Sequence, residues 1–401
     1  MISRFKVIPG GSVTSAAGFS AGVVAAGIKS ALNAPDLALV ISDRPANAAA
    51  VFTLNQFRAA PVVLSEEHLR FGQARAIIVN AGCANAGTGK TGYENARTMT
   101  ELAADRFELD SVTVLVASTG VIGVQLPMEK VKAGIKKLIP SGDGGAGFAR
   151  AIMTTDLVPK EIAVRSPEYG FTVGGCAKGS GMIHPDMATM LAFITTDVSI
   201  DGKMLRDELH KAVDKSFNVI SVDGDTSTND SVFLLANGAS GIELKDGDGA
   251  YHAFVHTLEY VCIHLAKAIA RDGEGATKLI ELTVTGAYSV ADARKVIRTV
   301  LSSPLVKTAV YGADPNWGRI VAAAGRSGAY FELEKVSLTF GGICVLAGGT
   351  PQPFDKKEAS TRLRQSDVFI ELDLGLGQAS ATGWGCDMSE EYIRINADYT
   401  T

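Results

Sequence analysis

The chain has 401 residues, of which 46% are apolar and 20% charged, with a net charge of −5. This is the balance of a globular protein of two domains or one large one. No Lys/Arg block or basic–aromatic interleave marks a nucleic-acid surface, and no uninterrupted apolar run nears the roughly 20 residues that span a bilayer. Five cysteines, Cys83, Cys176, Cys262, Cys344 and Cys386, stand far apart and never as CxxC, which argues against a disulfide framework and a zinc site. The opening Met1-Ile-Ser-Arg-Phe-Lys-Val lacks a basic region followed by an apolar run. The expectation is a cytoplasmic protein with no metal, nucleic acid or membrane partner.

In chain order, apolar runs at Leu37–Ser42 and Ala48–Thr53 predict two short strands, and Ala76–Asn80 a third that ends in a loop running to Thr91. Apolar spacing predicts a helix over Tyr93–Phe107. Val112–Ala117 reads as a buried strand stopping at Ser118-Thr-Gly120. Asp201–Phe217 sets Met204, Leu205, Leu209 and Val213 on one helical face. His252–Ala270 is a longer, more apolar helix, and Asp292–Val300 another, closed by Ser-Ser-Pro304. Strands are predicted at Ile280–Thr285, Ser337–Phe340 and Val368–Leu374, and Glu391–Ile395 is strand-like. Strands and helices alternate unevenly, which favours a layered α/β (α+β) fold over a doubly wound sheet.

Two motifs fail on inspection. Gly87-Thr-Gly-Lys-Thr91 resembles the end of a phosphate loop, but the required upstream glycine is Ala84. His252, His256 and Glu259 have a spacing that could ligate a metal from one helix face, yet the same spacing suits a solvated face.

The unusual stretch is Cys176-Ala-Lys-Gly-Ser-Gly-Met-Ile-His-Pro-Asp-Met-Ala-Thr-Met-Leu-Ala-Phe-Ile-Thr-Thr-Asp197. A lysine sits among small and apolar residues, a Gly/Pro-rich loop follows, and an apolar strand begins at Thr189. Taken alone, this is a loop entering a buried strand, with Thr189 present for its β-propensity. Other blocks join it: Asn80-Ala-Gly with Asn85-Ala, Ser118-Thr-Gly-Val-Ile-Gly123, Thr154-Thr-Asp156, Asp223-Gly-Asp-Thr-Ser-Thr-Asn-Asp230, Arg271-Asp-Gly-Glu-Gly-Ala-Thr277, Gly312-Ala-Asp-Pro-Asn-Trp-Gly-Arg319 and Ala381-Thr-Gly-Trp-Gly-Cys386. Together, in order and across essentially the whole chain, these resemble the ornithine acetyltransferase family, the glutamate N-acetyltransferases of the cyclic arginine pathway.

The resemblance implies an N-terminal-nucleophile-like sandwich of helices and sheets that cleaves itself between Ala188 and Thr189. An α chain of residues 1–188 and a β chain of 189–401 would pair as α2β2. Thr189 would be the nucleophile and Thr119 (hydroxyl) with Gly120 (amide) the oxyanion hole. Thr155, Lys178, Thr189, Glu274, Asn396 and Thr401 would face the substrates, N-acetylornithine and glutamate. The chemistry is coherent: a free α-amine, of pKa roughly 7.7–8.0, can serve as base to the hydroxyl of its own threonine. Lys178 suits a substrate carboxylate and Glu274 an ammonium, although Arg271-Asp-Gly-Glu-Gly also reads as a helix end. No cofactor is implied, and acetyl-CoA is a second donor that the resemblance leaves open. The alternatives are a self-cleaving aminopeptidase-type hydrolase of related fold and an uncleaved binding protein. The chain departs from the family pattern at Asp186, where Asn is expected, and at Cys83.

Overall fold

The computed structural model describes residues 5–184 and 190–398. The expected cleavage bond Ala188–Thr189, Asp186 and Thr401 lie outside the described residues.

The strands in chain order are β1 (Lys6–Val7), β2 (Phe19–Val24), β3 (Leu37–Phe52), β4 (Gln73–Cys83), β5 (Val114–Val121), β6 (Lys160–Arg165), β7 (Thr172–Lys178) and β8 (Leu191–Thr196). There follow β9 (Ile220–Ser221), β10 (Ser231–Ala236), β11 (Leu279–Ala287), β12 (Ser337–Phe340), β13 (Ile343–Ala347), β14 (Thr350–Pro351), β15 (Asp367–Asp373) and β16 (Ala379–Cys386). Among the described residues they form two sheets. The larger runs β1-β6-β7-β8-β10-β3-β4-β5, with β2 also on β3, and the smaller runs β14-β13-β12-β15-β11-β16-β9. The layered α/β architecture expected from the sequence is the one the chain adopts.

Period-2 side-chain alternation makes the larger sheet a divider between cores. On β3, Leu37 and Leu39 enter one apolar cluster with Ala96 and Met99 of the helix Gly89–Phe107, while Ala38 and Val40 enter the opposite one with Phe148. The two strands predicted over 37–53 are halves of this single 16-residue strand. Between them the pairing with β4 shifts register from Ile41 to Ala46. Pro45 has no N–H for a ladder, so the ladder bulges there rather than ending.

Strands from before and after residue 188 interleave. β8 pairs antiparallel with β7 and parallel with β10, and β10 pairs antiparallel with β3. Phe193 of β8 stacks on Phe233 of β10, ring centroids 5.6 Å apart, and meets Phe148 edge-on at 5.0 Å.

The helix Gly249–Arg271 touches β6 and β7 of the larger sheet and β9 and β16 of the smaller one. It is long and apolar enough to cross a membrane, but Phe254, Leu258, Val261, Leu265 and Ile269 are buried in the protein's own core. It is a core helix. The helix Gly202–Asp214 starts where Asp201 accepts the Lys203 and Met204 N–H groups. The helix Val290–Leu301 covers β11 and β16 with Val296, Ile297 and Val300.

The strand-like end of the chain is instead the helix Glu390–Asp398. A strand there would need a free edge, and β16 is already paired with β11 and β9 on its two sides. Ile393 is left exposed, and Glu391 pairs with Arg394 along the helix.

Because Phe193 joins strands from both sides of residue 188, Phe193→Ala should cost about 3–5 kcal/mol of stability. Urea unfolding followed by far-ultraviolet circular dichroism measures it. A loss under about 1 kcal/mol would mean that the aromatic stack relaxes around the gap.

Candidate active site

A cleft opens where the ends of β5 and β7 meet the loop before β10 and the C-terminal helix. Its lining includes Thr119, Gly120, Thr155, Lys178, Glu274 and Asn396. These are all the residues that the resemblance assigns to substrate or oxyanion and that the structure describes.

The end of β5 at Thr119 and Gly120 is shaped by its parallel pairing with β4, which sets Asn80 beside Ser118 and Gly82 beside Gly120. The Ser118 hydroxyl donates to Asn80 Oδ1 at 2.6 Å, and Asn80 Nδ2 donates to the Cys83 carbonyl at 2.8 Å. Gly120 has φ +129°, and a Cβ there would fall 2.3 Å from the Gly82 carbonyl carbon. No side chain fits, so the glycine permits the close approach of two backbones.

A buried charge cluster carries the opposite wall. Lys160 Nζ lies 2.6 Å from Asp156 Oδ1 and 2.6 Å from Asp272 Oδ2. Asp156 also accepts the Gly179 N–H at 2.7 Å and the Thr154 N–H at 3.0 Å. Burial opposes ionisation of Asp156, but Lys178, Lys160 and the Gly179 amide outweigh it and hold the carboxyl at about 2. Thr155 Oγ1 and Ser180 Oγ are 2.7 Å apart.

Lys178 is 2% exposed. Among the described residues its ammonium makes no hydrogen bond or ion pair. Burial lowers its pKa, with Asp156 pulling the other way. Glu274 is also buried, on a turn beyond the helix end at Arg271, so the segment is both a helix stop and part of the cleft. Its N–H donates to the Ser180 carbonyl at 2.8 Å, and its carboxylate accepts Asn396 Nδ2 at 2.9 Å. A Cβ on Gly181 would sit 2.4 Å from Glu274 Oε2, so this carboxylate closes over a glycine.

The chain on either side of 185–189 is anchored by two aspartates. Asp223 accepts the Met182 and Ile183 N–H groups at 2.5 and 2.9 Å, with Met182 at φ +57°. Burial pushes the Asp223 carboxyl up to about 6. Asp230 Oδ1 accepts the Met190 N–H at 2.9 Å, and the Ser231 N–H donates to the Met190 carbonyl at 3.1 Å. Asp230 is fully buried, and among the described residues its Oδ2 has no hydrogen-bond partner. Burial pushes its pKa well up, against the Met190 amide, Lys178 and Ser227.

The residues without an assigned role in the sequence reading are Lys160, Asp156, Asp272, Asp223, Asn229 and Asp230. All but Lys160 lie inside the quoted blocks. Lys160 has only a weak signal, a lysine opening the apolar run Ile162-Ala-Val164. His252 and His256 are exposed and Glu259 pairs with Lys215, and no metal-binding cluster occurs among the described residues. At the phosphate-loop look-alike, Thr88 donates to Asn85 Oδ1 and Asn85 to the Gly92 carbonyl, a knitted turn into a helix.

The ArgJ family model matches residues 20–401. The chain belongs to the ArgJ family. The "arginine biosynthesis bifunctional protein ArgJ" of Dehalococcoides mccartyi is 53% identical over 405 residues, covering all of both chains. The crystal structure of the protein of the same name from Bacillus halodurans is 44% identical, with a TM-score of 0.51, over 52% of this chain and 98% of that one. The ornithine acetyltransferase of Mycobacterium tuberculosis, solved with ornithine, is 43% identical over 45% of this chain and 98% of that one, with a TM-score of 0.44. Membership of this family bears out the arginine-biosynthesis acyltransferase expected from the motifs.

Lys160 compensates two buried carboxylates at once, so Lys160→Met should destabilise this ArgJ-family chain by about 3–5 kcal/mol. Adding Asp156→Asn and Asp272→Asn should restore much of the loss. Guanidinium unfolding of the single and triple variants tests this, and a single variant as stable as wild type would show the cluster to be neutral.

Proposed function

We propose that this enzyme cleaves itself between Ala188 and Thr189 and then carries the acetyl group of N-acetylornithine to glutamate on the hydroxyl of Thr189. The observation that carries the reading is the cleft itself. A buried Lys178, unpaired among the described residues, stands in one cavity with the Glu274 carboxylate and Thr119 and Gly120 at the end of β5. A buried cation without a partner is costly unless a ligand supplies one. A substrate carboxylate at Lys178 and a substrate ammonium at Glu274 satisfy both, and an amino acid bears both groups. Thr155 and Asn396 add polar contacts, and Thr401 is proposed to complete the cleft.

In the proposed reaction Thr189 Oγ attacks the acetyl carbonyl carbon while its proton passes to the free α-amine. The Thr119 hydroxyl and the Gly120 N–H donate to the oxygen that becomes negative. Collapse breaks the acetyl–nitrogen bond, and ornithine leaves with the proton. The glutamate amine then attacks the acetyl-threonine ester, giving N-acetylglutamate and the free hydroxyl. The reading needs no cofactor, and acetyl-CoA as a second donor is tested in the same assay.

Two further observations support cleavage. Asp230 holds the Met190 N–H, and its other oxygen has no partner among the described residues. An ammonium freed at residue 189 would offer that oxygen a donor. The solved Bacillus halodurans chain is matched over 98% of its length by 52% of this chain, the relation expected of one product of a split precursor. The proposed products, residues 1–188 and 189–401, share the larger sheet and would stay together, assembling as α2β2. Five free cysteines suit the reducing cytoplasm.

Purified protein should run as two chains, the shorter-numbered ending at Ala188 and the other beginning Thr-Met-Leu-Ala by Edman sequencing, with Thr189→Ala intact and inactive. One intact, active wild-type band would sink the proposal. Product assays with and without glutamate separate transfer from hydrolysis. Deleting Thr400 and Thr401 should raise the KM for acetylornithine or glutamate while leaving self-cleavage in place. Unaltered kinetics would remove Thr401 from the site.

A further inference from the structure

The loop Ser227–Ser231 binds both halves of the cleft at once. Asn229 is buried and gives both amide hydrogens to backbone carbonyls, Ala84 O at 2.7 Å and Ser118 O at 2.9 Å. Its Oδ1 accepts the Thr228 hydroxyl at 2.6 Å, and its own N–H donates to Ser227 Oγ at 3.0 Å. The next two residues reach the other way, Asp230 to the Met190 N–H and Ser231 to the Met190 carbonyl. One short loop therefore ties the turn that holds Thr119 and Gly120 to the backbone of Met190.

The Ser118 carbonyl belongs to the peptide unit that delivers the Thr119 nitrogen. A planar peptide pinned at its oxygen is pinned throughout. Asn80 fixes the Ser118 side chain and Asn229 fixes its carbonyl, so the direction of the Thr119–Gly120 turn rests on two asparagines. Oxyanion donors act only when held about 2.7–3.1 Å from the developing charge.

We propose that Asn229 is a positioning residue for acetyl transfer, setting the Thr119–Gly120 donors relative to the chain that continues from the nucleophile. The inference rests on the acetyl-transfer reading above. Lys178 and Glu274, which are proposed to hold the substrate's charges, stand on other segments. Loss of Asn229 therefore weakens the transition state and leaves ground-state binding nearly intact.

Asn229→Asp keeps the shape, removes both donors and sets a carboxylate oxygen against two carbonyls. On cleaved protein, its kcat for acetyl transfer from acetylornithine to glutamate should fall at least about tenfold, with KM within about threefold. A double-mutant cycle with Thr119→Ala separates positioning from general loosening. Thr119→Ala alone should lower kcat by about 10²–10³-fold. The double variant should fall no more than about threefold further, because a misdirected turn has already lost the Thr119 donor. Should Asn229→Asp not fold, Asn229→Ala enters the same cycle. Effects that multiply, an unchanged kcat, or a change confined to KM would each overturn the inference. An inactive wild type or an unaffected Thr119→Ala would instead overturn the acetyl-transfer reading.

Discussion

The ammonium of Lys160, buried between the carboxylates of Asp156 and Asp272, is the constraint on which the cleft depends. Asp156 belongs to the turn carrying Thr154 and Thr155, Lys160 opens β6, and Asp272 caps the long helix just before Glu274. One charge thus joins two neighbouring segments, four residues apart, to a third that lies 112 residues further along the chain. Asp156 extends the network to the Gly179 amide, next to Lys178. In a low-dielectric interior such pairs are costly to form and costlier to break singly. The geometry is therefore fixed more firmly than a loop surface would fix it, which is what a site needing sub-ångström placement requires.

The larger sheet imposes the second constraint. β8 and β10, from beyond residue 188, stand between β7 and β3, from before it. Separating the two parts would break the ladders of β8 with β7 and of β10 with β3, and would split Phe148 from Phe193. A cut between 188 and 189 would leave those ladders and that ring contact in place.

What was legible in the sequence follows from how local each feature is. The helix Gly202–Asp214 and the strand β12 are written in apolar spacing and a capping aspartate, so they were readable directly. Leu37–Ser42 and Ala48–Thr53 predict two strands because they are separate apolar runs, whereas β4 pairs on both sides of the bulge between them and makes them one. Glu391–Ile395 is strand-like in sequence because Tyr392, Ile393 and Ile395 are β-favouring residues, a short run that a helix accommodates as readily. The cleft residues were named through family resemblance, and no spacing in the chain would have gathered Thr119, Lys178 and Asn396. Lys160 and Asn229 show the limit most clearly, since their meaning lies in partners on other segments.

The two unpaired groups near the cleft make a consistent physical picture. Lys178 is a cation without a partner among the described residues, and Asp230 Oδ2 is an acceptor without a donor. Each feels the other's field, but no contact joins them. In a site built for stability alone, a small repacking would let them meet or replace both with apolar groups. Here Asp230 is held by the Met190 amide, and Lys178 stands at the end of β7 beside the Asp156 cluster. Each is kept in place by a neighbouring anchor, and the rest of the fold carries the energetic cost. Unsatisfied charges that persist inside such anchoring are expected where ligands or reaction products complete the pairing. The deficits have opposite signs, so an incoming carboxylate and a newly freed amine would satisfy different ones.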